Sequence, residues 1–93
     1  MITKQKLNFQ PAVMNYQNVY LAEPYKVTPY EFRIIGNIRI DKPSFAAYYR
    51  IKSGNQMLFG NSCEHDSNGY TKFYDTKEEA IEACQKHLDS ITH

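Results

Sequence analysis

Cys63-Glu64-His65-Asp66 is the one place in this sequence where a thiol, an imidazole and two carboxylates stand side by side. Such groups are the usual ligands of zinc and the usual parts of an activated nucleophile. A tetrahedral site needs about four ligands from rigid positions, and the other two have no obvious source here. Consecutive loop residues do not easily converge on one ion, and a Cys–His pair needs a third group to orient its base. The run reads as a solvated polar loop. His87 falls beside the apolar stripe of a C-terminal helix, where a boundary histidine favours the helix dipole; His93 is the last residue. With four glycines in all, there is neither a phosphate loop nor a nucleophile elbow. The expectation is therefore a protein that is not an enzyme, with no metal or cofactor site.

The charged residues point to binding instead. Net charge is +1, but it is unevenly spread: residues 1–60 hold eight Lys/Arg against three Asp/Glu, hence +5, and residues 61–93 hold three Lys against seven acids, hence −4. Two halves of opposite sign imply two faces of opposite potential if they occupy different sides of the fold. Arg33, Arg39, Arg50 and Lys52, with Tyr48 among them, are expected to point away from the core. Arginines interleaved with an aromatic suit phosphate, base or carboxylate recognition, because the guanidinium fork is planar and bidentate. Glu78 and Glu82, with Glu64, Asp66, Asp75, Glu79 and Asp89, offer a row of carboxylates, which can occupy Lys/Arg sites that otherwise hold nucleic-acid phosphate. The plainer alternatives are an outer sheet face defended against aggregation by charge and a solvated helix face.

Certain elements must position these groups. Tyr30, Phe32, Ile34, Gly36, Ile38 and Ile40 share one parity, and Glu31, Arg33, Asn37, Arg39 and Asp41 the other; only Ile35 breaks the pattern. Period two over that length predicts one strand with a buried face. Asp41–Ser44 predicts a turn, residues 45–52 a second alternating strand, Ser53–Asn55 another turn, and residues 56–60 a third strand, together an antiparallel meander. Within residues 1–29, Leu7/Phe9 and Val19/Leu21 predict two short edge strands interrupted by Pro11, Pro24 and Pro29. Asp75-Thr76-Lys77-Glu78-Glu79 predicts a helix start, with Asp75 or Thr76 as cap and Glu78 or Glu79 respectively three residues on. Ile81, Cys84, Leu88 and Ile91 then recur on one helical face. The expected fold class is α+β: one domain over 1–93, an antiparallel sheet of about four to five strands, and the helix packed on its Phe32/Ile34/Ile38/Tyr49 side.

Composition sets the remaining bounds. Ninety-three residues suffice for one core and not two, and eight Tyr and five Phe without Trp suit half-buried surfaces and interfaces. Two cysteines make no disulfide framework; both read as reduced thiols of a cytosolic protein, with Cys84 a core filler. No apolar run approaches membrane-spanning length, and residues 1–10 are too polar for a signal-peptide core.

Phe73-Tyr74-Asp75-Thr76-Lys77-Glu78-Glu79-Ala80 resembles the end of the last strand and the start of the helix in the three-strand-plus-helix DNA-binding domains of phage integrase arms and plant ethylene-response factors. That resemblance covers residues 48–91 and implies binding of DNA or RNA by a basic sheet face, for which Arg50 and Lys52 are the matching candidates. The long loop at Asn61–Gly69 and the acidic tail depart from it. As a class, a small cysteine-poor α+β chain without a catalytic constellation resembles the inhibitors that phages and mobile elements encode, anti-CRISPR proteins above all. This implies a protein or ribonucleoprotein partner in the bacterial host cytoplasm, with no membrane and no small-molecule substrate. The leading expectation is such an inhibitor, engaging a nucleic-acid-handling effector complex through Arg33, Arg39, Tyr48, Arg50, Lys52, Glu78 and Glu82.

Overall fold

A computed structural model of the protein describes residues 6–53 and 56–91, with backbone alone over 51–53 and 56–60. In chain order the elements are β1 (Gln10–Met14), β2 (Gln17–Ala22), β3 (Tyr25–Tyr30), β4 (Arg33–Ile35), β5 (Ile38–Ile40), β6 (Ser44–Ser53), β7 (Gln56–Ser62), β8 (Phe73–Tyr74) and α1 (Lys77–Ile91). The main sheet runs β1-β2-β3-β6-β7, all antiparallel, and β8 pairs with the half of β6 that β7 leaves open. One helix lies against an antiparallel sheet, the α+β class that the patterning predicts. No helix among the described residues is long and apolar enough to cross a membrane.

The amino-terminal third contains three strands rather than two. Pro11 lies on β1, the edge strand, where a missing N–H costs least. Pro24 lies in the turn between β2 and β3, after a cis peptide bond. Pro29 is inside β3, past the last β2 partner, since that ladder ends at Tyr20↔Val27. Leu7 and Phe9 precede β1 and pack against the core.

A second correction concerns residues 30–40, which do not form one strand. β3 ends at Tyr30, and the chain makes a separate β4–β5 hairpin before entering β6. The cause is Gly36-Asn37: Gly36 has φ +62°, the left-handed value that a two-residue hairpin turn requires at its first central position and that glycine adopts freely. The meander is thus β1-β2-β3-β6-β7 with a hairpin inserted between β3 and β6.

The core lies between α1 and one face of β3, β6 and β8. Cross-strand partners Val27↔Ala47 and Tyr25↔Tyr49 face the helix, and Ala80, Ala83, Cys84 and Leu88 face back. The buried stripe of α1 is therefore rotated from the expected one: Ile81 is at its margin and Ile91 is exposed. The sheet side of the interface is likewise not Phe32/Ile34/Ile38, which belong to the inserted hairpin and its approach; only Tyr49 of that expected set packs against the core. His87 does not merely edge the helix. Its ring stacks on Tyr49 at 4.4 Å between centroids, and its Nδ1 lies 2.7 Å from the Tyr25 hydroxyl. Burial pushes the Tyr25 phenol up to about 12.

Thr76 caps α1, its Oγ1 accepting the Glu79 N–H at 3.2 Å. At the opposite end of the molecule's strand order, the β1–β2 turn Asn15-Tyr16 has φ of +51° and +64°. Asn tolerates that conformation, whereas a tyrosine there bears about 1–2 kcal/mol of steric penalty, and Tyr16 is fully exposed. Two outcomes are expected in urea unfolding. Thr76→Ala loses about 1 kcal/mol with the cap, and Tyr16→Gly gains about 1 kcal/mol by relieving the turn. A loss of stability in the glycine variant counts against the strained turn.

Candidate interaction surface

The strand parity holds for two of the expected basic-face residues and fails for two. Tyr48 and Arg50 lie on the sheet face opposite the helix, as does Thr28, the partner of Ala46. Arg33 and Arg39 are on the β4–β5 hairpin instead, so they do not continue that surface. The Lys52 side chain lies outside the described residues.

Two of the arginines, Arg33 and Arg50, are largely closed off, whereas Arg39 is 64% exposed. Arg33 Nη2 donates to Asp75 Oδ1 at 2.6 Å, and its side chain is only 12% exposed. Arg50 Nη2 pairs with Glu23 Oε2 at 3.2 Å and is 19% exposed. Arg39 Nε donates to Asp41 Oδ1 at 3.0 Å, and its guanidinium lies over the Phe32 ring at 4.3 Å. Tyr48 is half-buried, its hydroxyl 3.0 Å from that of Tyr30; burial and then the bond to Tyr30 push its phenol upward. Arg33, Arg39 and Arg50 of the basic face expected at positions 33–52 are thus each paired with a carboxylate, Asp75, Asp41 and Glu23 respectively. Glu78 and Glu82 stand one turn apart on α1, both exposed, and neither forms an ion pair among the described residues.

The side chains of Cys63, Glu64 and Asp66 separate. Cys63 Sγ lies 3.9 Å from Cys84 Sγ. Glu64 accepts the Tyr74 hydroxyl and pairs with Lys72 at 3.5 Å. Asp66 Oδ1 accepts the Asn68 and Tyr70 N–H groups at 2.9 and 3.0 Å, closing the turn before Thr71. Among the described residues no three His, Cys, Asp or Glu side chains gather as a metal site would require.

What the hairpin does assemble is apolar. Its register pairs Ile35↔Ile38 and Arg33↔Ile40. Direct partners share a face of the pleat, as do residues two apart on one strand. Ile35, Ile38 and Ile40 therefore lie together on one face, and they are 44%, 66% and 38% exposed. In a single strand Ile35 and Ile38 would oppose one another, which is why Ile35 breaks the linear parity. Each isoleucine left in water forgoes part of the ~1.5–3 kcal/mol that full burial supplies. Among the described residues β4 and β5 pair only with each other, so both outer edges lack a strand partner there.

The hairpin is nevertheless anchored. Ser44 Oγ donates to the Phe32 carbonyl at 2.9 Å, and Asp75 bonds both Arg33 and Lys42, the latter at 3.2 Å. Between the hairpin's approach and the start of β2 lies a concavity of about 480 Å³ lined by Gln17, Asn18, Pro29, Tyr30, Glu31 and Phe32. Comparison with protein-family models, characterised proteins and solved structures found no match.

Two carboxylates tie this region to pH. The hydrogen bond from Arg33, then Lys42, holds the Asp75 carboxyl below its ordinary value; the bond from Tyr74, with help from Lys72, does the same for Glu64 against the opposing effect of burial. A depressed folded-state value stabilises above the unfolded value and is lost as pH falls. Stability is therefore expected to drop below roughly pH 4. Asp75→Asn should be less stable at neutral pH and show a shallower acid limb in urea midpoints measured from pH 7 to 2.5; an unchanged acid limb argues that the pair contributes nothing.

Proposed function

We propose that this chain acts by binding another protein through the isoleucine face of the β4–β5 hairpin, and that it is an inhibitor of the kind phages and mobile elements encode, blocking a bacterial nucleic-acid-handling effector complex. The observation that carries the reading is the exposed Ile35/Ile38/Ile40 face on a hairpin held in place at its base. An apolar face on an anchored element gains free energy only when something apolar covers it. Its partner is expected to present an apolar groove or an open strand edge, which the short unpaired edges of β4 and β5 can join. A bare nucleic acid fits less well. Phosphate binding needs cations free to replace counterions, and of the three arginines Arg33 and Arg50 are paired with carboxylates and mostly buried, leaving Arg39 the exposed one. The exposed Glu78 and Glu82 are available to complement a basic rim on the partner.

The test is immunity itself. Bacteria with active CRISPR systems of the different effector types are challenged with a phage that each system targets, with and without the chain expressed. Restored plaquing with at least one type, and a one-to-one complex with that effector on gel filtration, are expected. Ile38→Asp should weaken the complex by about tenfold or more, about 1.4 kcal/mol, while shifting fold stability by no more than ~0.5 kcal/mol. Immunity left intact in every type overturns the inhibitor reading. Equal binding by wild type and Ile38→Asp overturns the assigned face.

A further inference from the structure

The two cysteines of the chain, 21 positions apart, bring their sulfurs to 3.9 Å. Each is held by backbone. Cys63 follows the last residue of β7, and its N–H donates to the Ala47 carbonyl at 2.9 Å, extending the ladder onto β6. Cys84 is in the middle of α1, which packs on that same strand. Cys84 is wholly buried, whereas Cys63 retains partial exposure. Of the two residues only Cys63, at the margin of the core, has surface open to a solvent-borne reagent.

We propose that the pair is a thiol–disulfide exchange site: Cys63 is the entry thiol for a low-molecular-weight disulfide of the oxidised-glutathione type, and Cys84 is the resolving thiol that closes an internal Cys63–Cys84 bond. In the first step Cys63 releases its proton to solvent and bonds to one sulfur of the reagent. The reagent's S–S bond breaks, and the departing thiolate takes up a proton. In the second step the Cys84 sulfur bonds to the Cys63 sulfur, the mixed disulfide breaks, and the Cys84 proton leaves with the second small thiol. The protein loses two electrons and two protons, and the reagent is reduced to two thiols.

Geometry fixes the order. The contact with Cys63 and burial push the Cys84 thiol well above its ordinary value, so it does not open the reaction, but a neighbour at 3.9 Å reacts at the effective concentration of an intramolecular partner. A bond length of about 2.05 Å is needed, so the sulfurs must close the remaining gap. Coordination of a metal is the other use of paired thiols, but among the described residues no third ligand joins them. Closure would tie the end of β7 to the centre of α1 and enclose β8 and the helix start within one loop.

The reduced native protein is incubated with oxidised glutathione, quenched in acid, and read by intact mass and peptide mapping without reduction. Expected is a loss of two hydrogens with no glutathione retained, the Cys63 and Cys84 peptides joined within one chain. Cys84→Ala, which keeps the core apolar, should stop at a glutathione adduct on Cys63, and Cys63→Ser should stay unmodified while folded. A wild-type protein that keeps glutathione on Cys63, links two chains, or remains fully reduced overturns the proposal. The wild-type result decides the matter even if neither variant folds.

Discussion

Strand β6 is engaged along both edges and on one face, and that constraint governs the rest of the molecule. β3 runs along one edge; β7 and β8 divide the other; α1 presses on one face. The strand meets this with two successive alanines, Ala46 and Ala47, both buried, because a larger residue at either position would hold its neighbours apart. Ala80 and Ala83 play the same part on the helix side. The inserted hairpin depends on this arrangement directly: it leaves β3 after Tyr30 and returns at Ser44, and those two residues are themselves ladder partners. A tightly packed strand pair clamps both ends of the detour, so three isoleucines can stand in water without loosening the fold.

The helix was legible because its signals are local. A threonine cap with a glutamate three residues on and an apolar repeat need no knowledge of the remainder of the chain. Even so, the repeat misplaced the buried stripe, since Ala80 and Ala83 carry little hydrophobic weight in a sequence pattern and yet are buried in the core. Residues 30–40 failed for a related reason. Alternation continues through a two-residue turn almost unbroken, and only Ile35 records that the chain has doubled back. In retrospect the out-of-step isoleucine next to Gly36-Asn37 was the signal for a hairpin. The prolines misled in the opposite direction: Pro11 and Pro29 are tolerated because each lies where a strand lacks a neighbour on one side.

The candidate site was legible only in part. Parity correctly sent Tyr48 and Arg50 away from the helix, because period two is a property of the backbone. What each arginine does there depends on partners 2, 27 and 42 positions away, Asp41, Glu23 and Asp75, and spacing along a chain carries no record of such pairings. The same holds for the thiols. A cysteine in a polar loop and one on a helix stripe read as unrelated until the ladder from Ala47 brings one over the other.

Matching each described arginine to a carboxylate in its own fold has a kinetic corollary. Opposite charges about 3 Å apart form small dipoles whose fields fade within a Debye length of roughly 8–10 Å, so these residues cannot draw a partner in from a distance. Any steering of encounter then falls to exposed carboxylates such as Glu78 and Glu82, which form no ion pair among the described residues. Selectivity at the isoleucine face itself resides in how long a complex survives once formed.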